Sequence, residues 1–177
     1  MIIREPGQDG NVAALSVLVM CGGLLYMKND EYFMKRALIC AKKALKIDEV
    51  PVGAIIVKDG KIIASSYNTR ESKSEAIGHA EINAIRKANK KLKAWRLDGC
   101  TIYVTIEPCL MCGGALIQSR IDRIVYGAKD NKGGAFGSSI NILEAKNINH
   151  HPEVTAGVLE EECSAIIKEY FKKKREK

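Results

Sequence analysis

Cys109-Leu110-Met111-Cys112 follows a β-branched run, Thr101-Ile102-Tyr103-Val104-Thr105, and opens the helical pattern of Ala115-Leu116-Ile117. Upstream, a polar loop from Asn68 to Gly78 delivers His79-Ala80-Glu81 to the start of another helical pattern through Ile82, Ala84 and Ile85. Cysteines at i and i+3 of a helix share a face, so both thiolates can reach one ion. Zinc takes thiolate sulfur at about 2.3 Å and imidazole nitrogen at about 2.0 Å. A third ligand, His79, from a facing helix leaves the fourth tetrahedral position for water, the arrangement of catalytic rather than structural zinc. Helix starts also favour the thiolate form through their free N–H groups and dipole. Pro108 suits the first turn of such a helix.

Glu81 lies two residues beyond His79 and need not be a ligand. Beside a water whose pKa zinc lowers towards ~7, a carboxylate can take a proton and return it to a substrate nitrogen. Attack on a ring carbon bearing an amino group then releases ammonia, so the reaction class is hydrolytic deamination. Each fragment alone has a plainer reading. A Cys-x-x-Cys pair between a strand and a helix is also where a thioredoxin-like redox pair sits, and such a module would need no metal. A closed structural zinc site would need a fourth ligand, and His150 and His151 are the only other histidines. His79 by itself suits a core histidine, and Glu81 a solvated helix residue. The four residues together favour the open zinc site.

The flanking pattern gives the fold class. Asn29 and Asp30 are N-cap types before an amphipathic helix with Phe33, Ala37, Cys40, Ala41 and Ala44 on one face. Val52 to Val57 and Lys61 to Ser65 flank Asp59-Gly60, a strong hairpin signal. Arg123 to Gly127 reads as a strand, Asp130 to Gly137 as a glycine-rich loop, Val154-Thr155 as a short strand, and Leu159 to Lys173 as a last helix. The order β-β-α-β-α-β bracketed by helices implies an α/β fold, a three-layer α/β/α sandwich on a mixed sheet of about five strands. Residues 27–177 form one domain. Residues 1–26 stand apart as an N-terminal extension, with Met27 the expected biological start.

Composition narrows the setting. The 177 residues are enough for one full core, and 46% apolar with 28% charged residues is ordinary for a globular protein. Six irregularly spaced cysteines do not make a secreted disulfide scaffold, and Cys40, Cys100 and Cys163 suit buried packing positions. The uncharged stretch Gly10 to Met27 holds Gly22 and Gly23 and falls short of the roughly 20 apolar residues of a spanning helix. A cytoplasmic protein without membrane insertion is expected. The net charge of +7 is compatible with a polyanionic partner. Basic residues cluster at Arg86 to Arg96, placed after the second helix, and at Lys172 to Arg175 beside Tyr170 and Phe171.

Four segments carry a family likeness: Glu49-Val50-Pro51-Val52-Gly53-Ala54, His79-Ala80-Glu81-Ile82, Thr101 through Cys112 to Ile121, and Tyr126 through Asp130 to Ala135. Over roughly Asp30 to Arg175 the sequence resembles the cytidine/deoxycytidylate deaminase superfamily, whose zinc members carry His-x-Glu and Pro-Cys-x-x-Cys. Within it the resemblance is to the bacterial deaminases that make inosine at the wobble position of transfer RNA. The likeness implies one Zn2+ per subunit on His79, Cys109 and Cys112, with Glu81 as proton shuttle. It implies that Asn68 hydrogen-bonds a flipped purine, that Val52 and Ile106 sandwich it, and that Asp130 and Lys132 touch the neighbouring nucleotide backbone. It further implies a homodimer and a tRNA anticodon stem-loop held partly by Tyr170, Phe171, Lys173, Lys174 and Arg175. Ile106 and Gly113 replace the commoner Leu and Ala. The alternative is a small-molecule guanine or cytidine/deoxycytidylate deaminase using the same metal site.

Overall fold

The computed structural model describes residues 17–21 and 24–176. The first pair of strands, β1 (Val17–Cys21) and β2 (Leu24–Lys28), forms an antiparallel ribbon separate from the main sheet. The sequence pattern assigned no strands here. The expected extension, residues 1–26, lies largely outside the described residues, and its boundary at Met27 falls within β2.

Helix α1 (Asp30–Leu45) starts where the cap signal puts it, the Asn29 side chain accepting the Tyr32 N–H at 3.0 Å. The hairpin follows as β3 (Gly53–Lys58) and β4 (Lys61–Tyr67), and its turn residues Asp59 and Gly60 have φ of 48° and 68°. Two successive positive φ values give the turn whose twist matches paired strands. The chain continues through α2 (Ala80–Leu92), β5 (Cys100–Ile106), α3 (Leu110–Gln118), β6 (Arg123–Ala128), β7 (Glu153–Thr155) and α4 (Glu160–Arg175). Arg86, Lys87, Lys90 and Lys91 therefore lie on α2, not beyond it.

The main sheet has the order β4-β3-β5-β6-β7. Strand β3 runs antiparallel to both β4 and β5, while β5, β6 and β7 are parallel. It follows that β4, β5, β6 and β7 all point the same way. Successive side chains alternate between the two faces. Ile56, Ile102 and Ile124 pack with Ala80, Ala84 and Ala88 of α2 and Leu116 of α3. Ile55, Tyr103 and Val125 pack with Phe33, Met34 and Ala37 of α1 and Cys163 of α4. The result is the expected three-layer α/β/α sandwich with a mixed five-stranded sheet.

Gly53 lets β3 lie hard against α1, because a Cβ there would run into the backbone of Ala37 and Ala41. Cys40, Cys100 and Cys163 are buried as expected, and burial raises all three thiols, Cys163 to about 12. Among the described residues no helix is long and apolar enough to cross a membrane.

Candidate active site

Strands β4, β5 and β6 end at one edge of the sheet, and the chain leaves each of them into the same place. Asn68 follows β4, Glu107-Pro108-Cys109 follows β5, and Asp130 lies just past β6. Ligand crevices in open α/β sheets form at these carboxyl ends. Helices α2 and α3 begin there too, with His79 and Cys109 as their N-cap residues.

This corrects one expectation. Cys109 has extended backbone, φ −73° and ψ 172°, so it does not share a helical face with Cys112, and Pro108 precedes the helix. Cys112 is the third helical residue. An N-cap side chain turns back over the second and third residues of its helix, so the Cys-x-x-Cys spacing brings the two sulfurs together by capping geometry. His79 Nδ1 lies 3.5 Å from Cys112 Sγ and 3.7 Å from Cys109 Sγ. The three ligand atoms all fall within 4.8 Å of one another. Nitrogen and sulfur bound to one tetrahedral zinc at their usual lengths are separated by about 3.5 Å. The three side chains fit such an ion. His150 is occupied elsewhere, its Nε2 2.6 Å from the Ile121 carbonyl at the opposite end of β6.

The protons are arranged around the same atoms. A hydrogen bond from Cys112 pushes the Cys109 thiol down to about 4, and His79 adds to the effect. Giving that hydrogen bond, together with burial, raises Cys112. His79 is raised by its own bond to Cys109. Metal binding would require both thiols and the facing His79 Nδ1 to be free of protons, so an ion would bind here with release of protons. Glu81 is 3% exposed in the first turn of α2, and burial pushes its carboxyl above the ordinary range.

A cavity of about 210 Å3 opens onto this group. Its walls bring together Val52, Asn68, Ile106 and Asp130 with His79, Glu81 and Cys109, as the sequence suggested. Val50, Arg70, Ala80 and Glu107 also line it and were not anticipated. Lys132 is not part of the wall; its N–H donates to Asp130 Oδ1 at 3.0 Å.

Residues around the cavity were also missed from sequence. Glu107 holds the 130–138 loop by accepting N–H groups of Asp130 (3.2 Å), Phe136 (2.8 Å) and Ser138 (3.1 Å). Asn83 Nδ2 ties α2 to the preceding loop through Gly78 O at 3.2 Å and Thr69 Oγ1 at 3.1 Å. At the end of α4, Lys174 pairs with Asp48 at 2.6 Å and the Tyr170 hydroxyl donates to Asp48 O at 3.1 Å. Lys173 pairs with Glu169 along the helix, Phe171 is exposed, and Arg175 ends the helix.

Comparison with known proteins identifies the family. The family model of the MafB19-like deaminases matches residues 27–175. A tRNA-specific adenosine deaminase of Bacillus subtilis is 48% identical over 151 residues, covering 85% of this chain and 94% of that protein. A solved structure from studies of A-to-I editing by tRNA:A34 deaminases superposes with a TM-score of 0.74 at 43% identity, covering 76% of this chain and 98% of that one. A guanine deaminase from Nitrosomonas europaea has a TM-score of 0.67 at 27% identity, covering 79% and 83%. The chain belongs to the MafB19-like deaminase family, where it groups with the bacterial tRNA-specific adenosine deaminases.

Proposed function

We propose that the chain is a zinc-dependent hydrolase that converts adenosine to inosine at the wobble position of transfer RNA. The observation that carries the chemistry is the meeting of His79, Cys109 and Cys112 at zinc-ligand spacing, with a buried Glu81 beside a small cavity; the likeness to tRNA-specific adenosine deaminases supports the substrate. Its volume of about 210 Å3 is below the ~300–1,000 Å3 of pockets for drug-sized ligands. One ring system fits, and the rest of a nucleotide stays outside, which suits a base turned out of its stack.

When bound, zinc would lower the pKa of a water towards ~7 and so supply the nucleophile. The other steps belong to the chain. Glu81 takes a proton from the attacking water, gives it to ring N1, and delivers a proton to the departing amino nitrogen. Water and adenosine become inosine and ammonia. Burial suits Glu81 to this exchange, since a carboxyl raised towards neutrality both accepts and donates. Asn68 holds the base edge, and Val52 and Ile106 close on its faces. Asp130 and Lys132 meet the adjoining backbone, and the basic end of α4 meets the anticodon stem-loop. The assembly is a cytoplasmic homodimer.

The likeness to guanine deaminase favours one competing reading, a small-molecule purine substrate. Purified protein is offered an anticodon stem-loop, guanine and cytidine in parallel. Inosine at the wobble position, formed faster than xanthine or uridine, is expected. Faster turnover of guanine would overturn the RNA reading. Glu81→Gln should retain about one zinc per chain and lose about 10²–10⁴-fold in kcat. An unchanged rate would remove Glu81 from the chemistry.

A further inference from the structure

Glu49 is fully buried between α1 and β3, and the chemistry above does not use it. One carboxylate oxygen accepts from Asn68 Nδ2 at 2.9 Å, and the other accepts the Ser72 N–H at 2.7 Å. Its position is held from both sides. Its own N–H donates to Ala44 O at 3.1 Å, and the neighbouring Asp48 is gripped by Lys174 and Tyr170 of α4.

Asn68 lines the cavity, and an amide has two orientations that differ only in which end carries the oxygen. An ionised carboxylate only accepts hydrogen bonds. Turning the amide over would set Oδ1 against the Glu49 oxygen, acceptor against acceptor, in a buried place where nothing offsets the repulsion. Asn68 therefore keeps its nitrogen towards Glu49 and has Oδ1 and one N–H left for the cavity.

We propose that Glu49 is a positioning residue: it locks the Asn68 amide in one orientation and so sets which hydrogen-bond pattern on a purine edge the cavity accepts. This rests on the purine-deaminase reading above. Glu49→Gln is the informative change. Its Oε1 can keep the Ser72 N–H, but its Nε2 then faces Asn68 and favours the reversed amide, with both Asn68 N–H groups turned away from it. A polar site presenting the wrong pattern discriminates against its own substrate.

The test combines two readouts. The first is the side-chain amide signal of Asn68 in 15N NMR spectra of the zinc-loaded protein, assigned by its loss in Asn68→Ala. A downfield, slowly exchanging proton is expected in the wild type and should be lost in Glu49→Gln while zinc content and melting temperature hold. An Asn68 signal that is the same in both proteins overturns the lock, whatever the substrate is. The second is a double-mutant cycle on kcat/KM for the purine that the wild type deaminates. Glu49→Gln should cost about 10- to 100-fold alone and less than about 3-fold when Asn68 is already alanine. Independent, multiplying losses would show that Glu49 does not act through Asn68. Absence of inosine from the wild type on the stem-loop sinks the tRNA reading instead, and the NMR result still decides the lock.

Discussion

Glu107 gathers three backbone N–H groups onto one carboxylate that is 2% exposed. Burial alone would raise this carboxyl, but hydrogen bonds from Ser138, Phe136 and Asp130 more than reverse it and hold it below the ordinary range. Gly134 is what lets the loop close over it, since a Cβ there would collide with the carboxylate. Glu107→Gln puts an amide N–H2 where an acceptor is needed. Urea denaturation should show a loss of about 2–3 kcal/mol, and amide exchange should speed up at Phe136 and Ser138. At this scale the sequence displayed the residues whose chemistry is unusual at their spacing: His79, Glu81, Cys109 and Cys112. It hid Glu49 and Glu107, because an acidic side chain in a turn looks the same whether it faces water or a row of N–H donors. The available signal was a carboxylate inside an apolar stretch, Ile106-Glu107-Pro108, where burial demands partners. Ser72, Phe136 and Ser138, three of the donors involved, carry no such mark.

Between elements, a buried ion pair joins the start of α1 to the start of β6. Asp30 accepts two hydrogen bonds from Arg123 at 2.8 Å each and one from the Tyr103 hydroxyl at 2.8 Å. Arg123 also reaches Glu153 of β7 at 3.1 Å. Burial by itself would raise Asp30, but the Arg123 and Tyr103 hydrogen bonds and the Arg123 charge outweigh it, so its pKa is lowered. A carboxylate depressed in the folded state adds stability above its unfolded pKa of about 3.9, and that stability is lost as pH falls through the lower folded value. Asp30→Asn leaves Arg123, with 12% side-chain exposure, without its main partner. The expected cost at pH 7 is about 3 kcal/mol, the low end for a broken buried pair because Glu153 remains. The gap between variant and wild type should narrow in urea titrations run below about pH 4; a constant gap would mean that the loss is packing. Local signals made the elements legible, since Asn29 and Asp59-Gly60 act over two or three residues. The Asp30–Arg123 tie was not legible, because it links positions 93 residues apart. The N-cap placement of His79 and Cys109 also escaped, since neither is a usual capping residue.

For the whole molecule, the +7 charge is concentrated partly at the end of α4, where Lys172, Lys173, Lys174 and Arg175 follow the three acidic residues of its first turn. The structure anchors that end on Asp48, next to the residue that holds Asn68, so the basic terminus and the cavity share one stretch of backbone. Composition showed the charge, and resemblance suggested its use, but only the folded chain sets it beside the 48–52 segment. The four cations are not equivalent. Lys174 already faces Asp48, and Lys173 faces Glu169, whereas Arg175 has no ion pair among the described residues. Exposed pairs of this kind are weak, so RNA can take the lysines, but each contact then exchanges one anion for another. Counterion release counts the net phosphates neutralised, at about 0.7–0.9 per charge in the slope of log K against log salt. Changing Lys173, Lys174 and Arg175 together to alanine should therefore flatten the slope for stem-loop binding by less than the ~2–3 of three free cations. Arg175→Ala alone should account for the largest single share, up to about 0.9. Filter-binding titrations between low and physiological salt measure this directly. A triple variant with the wild-type affinity and slope would remove the end of α4 from the RNA surface and leave the charge to the basic face of α2.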